Sequence, residues 1–155
     1  MKSEKSLRSR AMDILSRREV SRLELKRKLM PYAQSEEELE AVLNEFAERR
    51  WQSDERYAEA YVHSKRNRYG SLRIKQALSA KGVDEATVRE LMPDKAGELA
   101  TAVDLLHKKF KRPGLDLKEK QKQVRFLAYR GFSMDMIQTA MKNAWDENSE
   151  IFDWE

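Results

Sequence analysis

Leu78-Ser79-Ala80-Lys81-Gly82-Val83-Asp84-Glu85-Ala86-Thr87-Val88 holds a helix end, a stop and a helix start within eleven residues. Leu78 closes one amphipathic run. Gly82 offers the left-handed backbone that ends helices, and Asp84 offers a carboxylate to the free amides of a new N-terminus. Val88 and Met92, four and eight residues after that cap, begin a new apolar face. A shift of 49 residues in either direction finds the same unit. Leu29 and Leu127 match Leu78, Ser35 and Ser133 match Asp84, and Leu39 and Ile137 match Val88. Leu43 and Met141 match Met92, and Leu25 matches Ile74. Gly131 repeats Gly82, while Ala33 holds that place in the first copy. Caps, glycines and apolar positions agreeing at one offset argue for a repeat rather than chance register.

Outward from this unit, the chain is punctuated throughout. Ser21-Arg22-Leu23-Glu24 and Ser35-Glu36-Glu37-Glu38 have the capping-box pattern, and Ser53, Ser71, Asp84 and Ser133 stand before helical periodicity. Pro31, Tyr69-Gly70, Gly82, Pro93, Pro113-Gly114 and Gly131 are stops. Nine helices follow, near 4–18, 21–31, 35–49, 53–67, 71–81, 84–92, 95–111, 115–130 and 133–146. Good helix formers dominate, and alternating apolar–polar tracts are scarce, so the class is all-α. Grouped by the repeat, the helices make three tandem three-helix repeats of helix-turn-helix character. They span 1–50, 51–94 and 95–148, with an acidic tail at 149–155. Units this small are expected to stack into an elongated, curved array. Phe152 and Trp154 give the tail two apolar residues with which to dock.

Composition excludes several classes. Of 155 residues 37% are charged and 40% apolar, which suits several thin cores better than one large one. No cysteine is present, which removes disulfides, thiolate metal sites and thiol nucleophiles. His63 and His107 fall in different units and read as structural. Gly-rich phosphate loops, nucleophile elbows and metalloprotease motifs are missing, so neither an enzyme nor a metal or cofactor site is expected. No apolar run approaches the ~20 residues of a membrane span, and the N-terminus lacks a signal-peptide core. A cytoplasmic protein with no membrane partner is expected, with a monomer the simplest state.

The net charge of +4 conceals larger opposed charges. Residues 17–28 sum to +4 and residues 35–48 to −6. Residues 65–81 carry +6 and residues 84–94 carry −3. Residues 108–130 carry +7 and residues 133–155 carry −5. Each repeat is therefore basic through its middle and acidic along its last helix. Basic helices in register make a stripe suited to phosphate or to an acidic protein, whereas isolated ones merely solvate a face. The candidate contacts are Arg22 and Lys26 in the first repeat, and Arg68, Tyr69, Arg73, Lys75 and Lys81 in the second. Lys122, Arg125 and Arg130 are those of the third. Arg125 and Arg130 have a competing reading as salt bridges to the acidic helices. Tyr69 either stacks on a base or staples the start of its own helix. Trp51, Tyr57, Tyr61 and Val62 read as packing residues, as do Phe126, Leu127 and Phe132.

Three segments together resemble the RecX regulatory-protein family. They are Ser21-Arg22-Leu23-Glu24-Leu25-Lys26-Arg27-Lys28-Leu29; Trp51 to Val62 continued by Arg68-Tyr69-Gly70-Ser71-Leu72-Arg73-Ile74-Lys75-Gln76-Ala77-Leu78 and Lys81-Gly82-Val83; and Arg125-Phe126-Leu127-Ala128-Tyr129-Arg130-Gly131-Phe132-Ser133. Ser71 departs from the proline usual after the Tyr-Gly pair, but it can still cap the helix. Pro31-Tyr32 replaces a small or glycine-containing turn. The resemblance implies tandem three-helix repeats in a curved molecule. It also implies a partner, the RecA recombinase filament on single-stranded DNA, whose growth, ATP hydrolysis, strand exchange and co-protease action the family limits. DNA repair, recombination and the SOS response are the implied context. Two other readings stand beside it: a DNA-binding module, for single- or double-stranded DNA, with no RecA target, and a scaffold whose basic helices are only solvated.

Overall fold

The computed structural model describes residues 5–146, and the acidic tail at 149–155 lies outside them. The described residues form α1 (Leu7–Arg17), α2 (Arg22–Leu29), α3 (Glu36–Glu48), α4 (Asp54–Lys65), α5 (Ser71–Ala80), α6 (Glu85–Leu91), α7 (Lys95–Lys109), α8 (Leu117–Tyr129) and α9 (Met134–Ala144), with a 3-10 turn at Met30–Tyr32. No strand occurs among them. Among the described residues, no helix is long and apolar enough to cross a membrane.

The caps do most of the local work. Ser21 accepts from the Glu24 amide at 3.2 Å, while Glu24 accepts from the Ser21 amide at 3.3 Å, a complete capping box. The second box forms only by half: Ser35 accepts from the Glu38 amide, but the Glu38 carboxylate takes the Gln34 amide instead. Ser53, Asp84, Asp94, Asp116 and Ser133 all accept from an amide three residues on. Asp116 therefore caps α8, which begins at Leu117, two residues later than the periodicity predicts. Ser71 does not cap with its own oxygen. Its amide and hydroxyl both donate to the Glu98 carboxylate, at 3.0 and 2.7 Å. A negative charge from another helix so sits at the N-terminus of α5, where the dipole favours it.

The stops also follow chemistry. Gly82 (φ 79°) and Gly131 (φ 94°) are left-handed and close α5 and α8. In each, the next residue's amide bonds back to the matched leucine, Val83 to Leu78 and Phe132 to Leu127. Ala33 in the first copy is extended, and α2 ends instead through the 3-10 turn begun by Met30-Pro31. The helix predicted to Pro31 thus ends, as an α-helix, at Leu29.

The chain forms two compact units. Among the described residues, one comprises 5–61 and 77–91, the other 62–76 and 92–146. In the first, α1, α2 and α3 bury Leu7, Ala11, Val20, Leu25, Leu29, Leu39, Leu43 and Phe46, and Trp51 meets Phe46 edge-on. In the second, α7, α8 and α9 bury Ala102, Leu106, Leu127, Phe132, Ile137, Ala140 and Ala144. Burial of the Leu, Val, Ile and Phe side chains among these, at ~1.5–3 kcal/mol each, is what holds such thin units together. Helices α4 and α5 each contribute residues to both units.

Candidate nucleic-acid interface

Within the second unit, two glycine turns meet backbone to backbone. The Gly70 amide donates to the Arg130 carbonyl at 2.7 Å, and the Leu72 amide to the Gly131 carbonyl at 3.0 Å. A Cβ on Gly70 would collide with the Gly131 carbonyl, and one on Gly131 with Arg73. Both turns need glycine for this close approach, and Gly131 needs it also for its positive φ.

The docking gathers three basic side chains around the Tyr69 ring, with Arg68 beside them. The Arg73 guanidinium lies 4.2 Å from the centre of the Tyr69 ring and 5.6 Å from that of Tyr129. Arg73 also donates to the Tyr129 carbonyl at 3.2 Å. Arg130 sits 5.6 Å from Tyr69 and 5.3 Å from Phe126, and donates to the Arg68 carbonyl at 3.1 Å. Arg68 donates to the Ser64 carbonyl, and the Lys65 ammonium stands 5.9 Å from Tyr69. Among the described residues, Arg68, Arg73 and Arg130 form no ion pair. Their hydrogen bonds to carbonyls and their contacts with rings fix geometry without neutralising charge. Tyr129 is 79% exposed. The arrangement offers guanidinium groups to phosphate oxygens and a ring face to a base.

Tyr69 is half-buried and forms the floor of the basic cluster beneath Arg73 and Arg130. Lys75 lies two residues beyond Arg73 on α5, roughly 200° round the helix, and is not part of the cluster. Lys122 and Arg125 on α8 are exposed. Neither Arg125 nor Arg130 pairs with a carboxylate among the described residues.

The first unit treats its candidates differently. Arg22 and Lys26 both reach Glu40, each at 3.1 Å, and Arg22 also bonds Asn44 at 2.7 Å. The hydrogen bond from Lys26, with that from Arg22, holds the Glu40 carboxyl below its usual range. Lys81 stands 3.5 Å from the buried Glu24. Burial raises that carboxyl, but the Ser21 amide, Lys81 and Arg18 together bring it below its ordinary value. These three cations are engaged by acids of their own unit.

Sequence reasoning missed Tyr129 and Glu98. Tyr129 carries one weak signal: Tyr129-Arg130-Gly131 has the composition of Arg68-Tyr69-Gly70 with its first two residues exchanged. Glu98 carries none, since α7 reads there as an ordinary helix start.

Known proteins share this architecture. The family model for "RecX, second three-helix domain" matches residues 53–92, and that for "RecX, third three-helix domain" matches residues 96–141. Regulatory protein RecX of Neisseria meningitidis serogroup C is 69% identical over 150 residues, covering 97% of this chain and 98% of that protein. Regulatory protein RecX of Chromobacterium violaceum is 44% identical over 144 residues, 93% of this chain and 94% of that one. The crystal structure of RecX from Lactobacillus salivarius superposes with a TM-score of 0.79 at 24% identity, covering 89% of this chain and 94% of its own, and so shares the fold.

Proposed function

The chain belongs to the RecX family of regulatory proteins, and on that premise we propose that it binds the RecA recombinase filament on single-stranded DNA and restrains it. In this reading it limits filament growth, ATP hydrolysis, strand exchange and co-protease action, and acts in the cytoplasm as a monomer. The three repeats at 1–50, 51–94 and 95–148 are the units that engage successive stretches of the filament.

One observation carries the reading: the guanidinium–tyrosine cluster of Arg68, Tyr69, Arg73, Tyr129 and Arg130 holds its arginines in place yet gives them no acid partner among the described residues. A filament presents phosphate backbone and acidic protein surface together, and such a cluster suits both. Lys75, Lys122 and Arg125 add positive charge to the elements on either side, and so assist approach more than docking.

The test is RecA ATP hydrolysis on single-stranded DNA with increasing amounts of this protein. Hydrolysis is expected to fall and filaments to shorten. Unchanged hydrolysis and unchanged filament length at excess protein would overturn the proposal. The exposed Tyr129 ring beside Arg73 favours a second reading, direct DNA binding without RecA. Oligonucleotide affinity with a steep salt dependence and no effect on RecA is the outcome that would select it.

A further inference from the structure

We infer that the first unit carries its own binding site for single-stranded nucleic acid, formed by Arg10, Arg17, Lys28 and Tyr32 and not by Arg22 and Lys26. The inference goes beyond the filament reading and needs no recombinase. α2 divides its charges between two sides. Arg22 and Lys26, one turn apart, turn to Glu40 of α3. Lys28 lies about 200° from Lys26, and it borders a groove shared with α1 and the 3-10 turn.

That groove encloses about 330 Å³ and is lined by Lys5, Arg10, Asp13, Arg17, Lys28 and Tyr32, over a floor of Ile14 and Leu29. Its single acid is already matched: Asp13 lies 2.6 Å from the Lys5 ammonium. Arg10, Arg17 and Lys28 have no ion pair among the described residues, and although the Asp13 carboxylate also feels Arg17 and Arg10, the groove lining keeps a positive excess. The Arg10 guanidinium stacks on Tyr32, 3.8 Å from its ring centre, and Tyr32 is 55% exposed. One ring face is backed by a cation and the rest is open.

Three cations around a groove of this size bind phosphodiester oxygens, and a backed tyrosine ring stacks on an unpaired base. An acidic peptide would use the cations and leave the ring idle, so the single strand is favoured. The ring comes from Pro31-Tyr32, at the end of α2. Pro31 opens the 3-10 turn that carries Tyr32 into the groove wall.

The experiment is a salt titration of labelled oligothymidylate binding to the full chain, without RecA. In the double variant Arg17→Ala/Lys28→Ala, the plot of log affinity against log salt should be shallower by about 1.4, from two lost contacts of ~0.7 each. Tyr32→Ala should weaken binding roughly tenfold, while Tyr32→Phe binds as the parent does. Arg17→Lys/Lys28→Arg should restore the slope, and that separates lost charge from lost folding. A parental slope in the double-alanine variant, or no oligothymidylate binding by the parent, overturns the inference. So does a double variant that keeps oligonucleotide binding but loses its effect on RecA, because the groove would then read acidic protein. If the parent leaves RecA hydrolysis untouched yet shows the Arg17/Lys28-dependent slope, the filament reading fails and this site stands.

Discussion

Gly131→Ala tests whether the two glycine turns hold the basic cluster together. Gly131 has φ 94°. An alanine held in left-handed backbone costs about 1–2 kcal/mol. Its Cβ would also overlap the Arg73 Cβ and lie 2.7 Å from the Arg73 amide nitrogen and 3.0 Å from its Cα. Two of those three atoms are backbone, so relief requires the first turn of α5 to move. Overpacking of that kind costs about 1–3 kcal/mol, and the expected loss is about 2–5 kcal/mol. Gly82→Ala is the control. Gly82 has φ 79°, but its Cβ would meet only Leu23 side-chain atoms, at 3.0 to 3.7 Å. It shares the backbone penalty and largely lacks the collision. Urea unfolding followed by circular dichroism, with an unchanged m-value, measures both. Hydrogen exchange at the Gly70 and Leu72 amides reports the docking itself, since both donate to the 130–131 turn. Equal losses for the two variants, or full protection of those amides in Gly131→Ala, would refute the reasoning.

Three further outcomes are expected. Glu24 has its folded-state pKa below its ordinary 4.5, so the stability it contributes is complete above that value and is lost as pH falls through the folded one; Glu24→Gln should flatten the acid limb of urea midpoint against pH. Burial, followed by the charge of Glu24, pushes the Tyr57 hydroxyl up to about 12, so stability should decline as pH rises from 10 towards 12, and Tyr57→Phe should remove that decline. Arg50 is left-handed at φ 60° without being glycine, so Arg50→Gly should raise stability by about 0.5–1 kcal/mol, read as a higher urea midpoint.

Much of the fold was legible because helix ends are local chemistry. A cap and the amide it receives lie three residues apart, so Ser21, Ser53, Asp84 and Ser133 could be found by eye. The misreadings arise where a distant group intervenes. Ser71 has a capping residue's place, but the Glu98 carboxylate 27 residues away takes both its donors. Arg73 bonds the Tyr129 carbonyl across 56 residues, and Arg130 bonds that of Arg68 across 62. No helical periodicity encodes such separations. Arg68, Tyr69, Arg73 and Arg130, named from the sequence as candidate contacts, lie together at the two glycine turns. What periodicity could not decide was which cations meet an acid.

That decision changes the meaning of the charge pattern. The alternation of basic and acidic helices looks the same in each repeat, yet the first unit uses it for internal pairing. Glu40 of α3 takes Arg22 and Lys26, and Glu45 takes Arg8 and Arg49. In the second unit, Arg68, Arg73 and Arg130 lean on tyrosine rings and backbone carbonyls instead. A ring or a carbonyl orients a guanidinium without cancelling it, whereas an exposed carboxylate cancels much of its field at a distance. Equal runs of lysine and arginine therefore make unequal surfaces, and the useful count is of cations whose nearest partner is neutral. By that measure the first unit is not inert: its neutral-partnered cations are those beside Tyr32, on the side of α2 turned away from Glu40. Both units thus pair arginine with tyrosine where arginine is left without acid, at Arg10 with Tyr32 and at Arg73 with Tyr69. A surface built to steer a polyanion and then grip it needs that pairing more than it needs net charge.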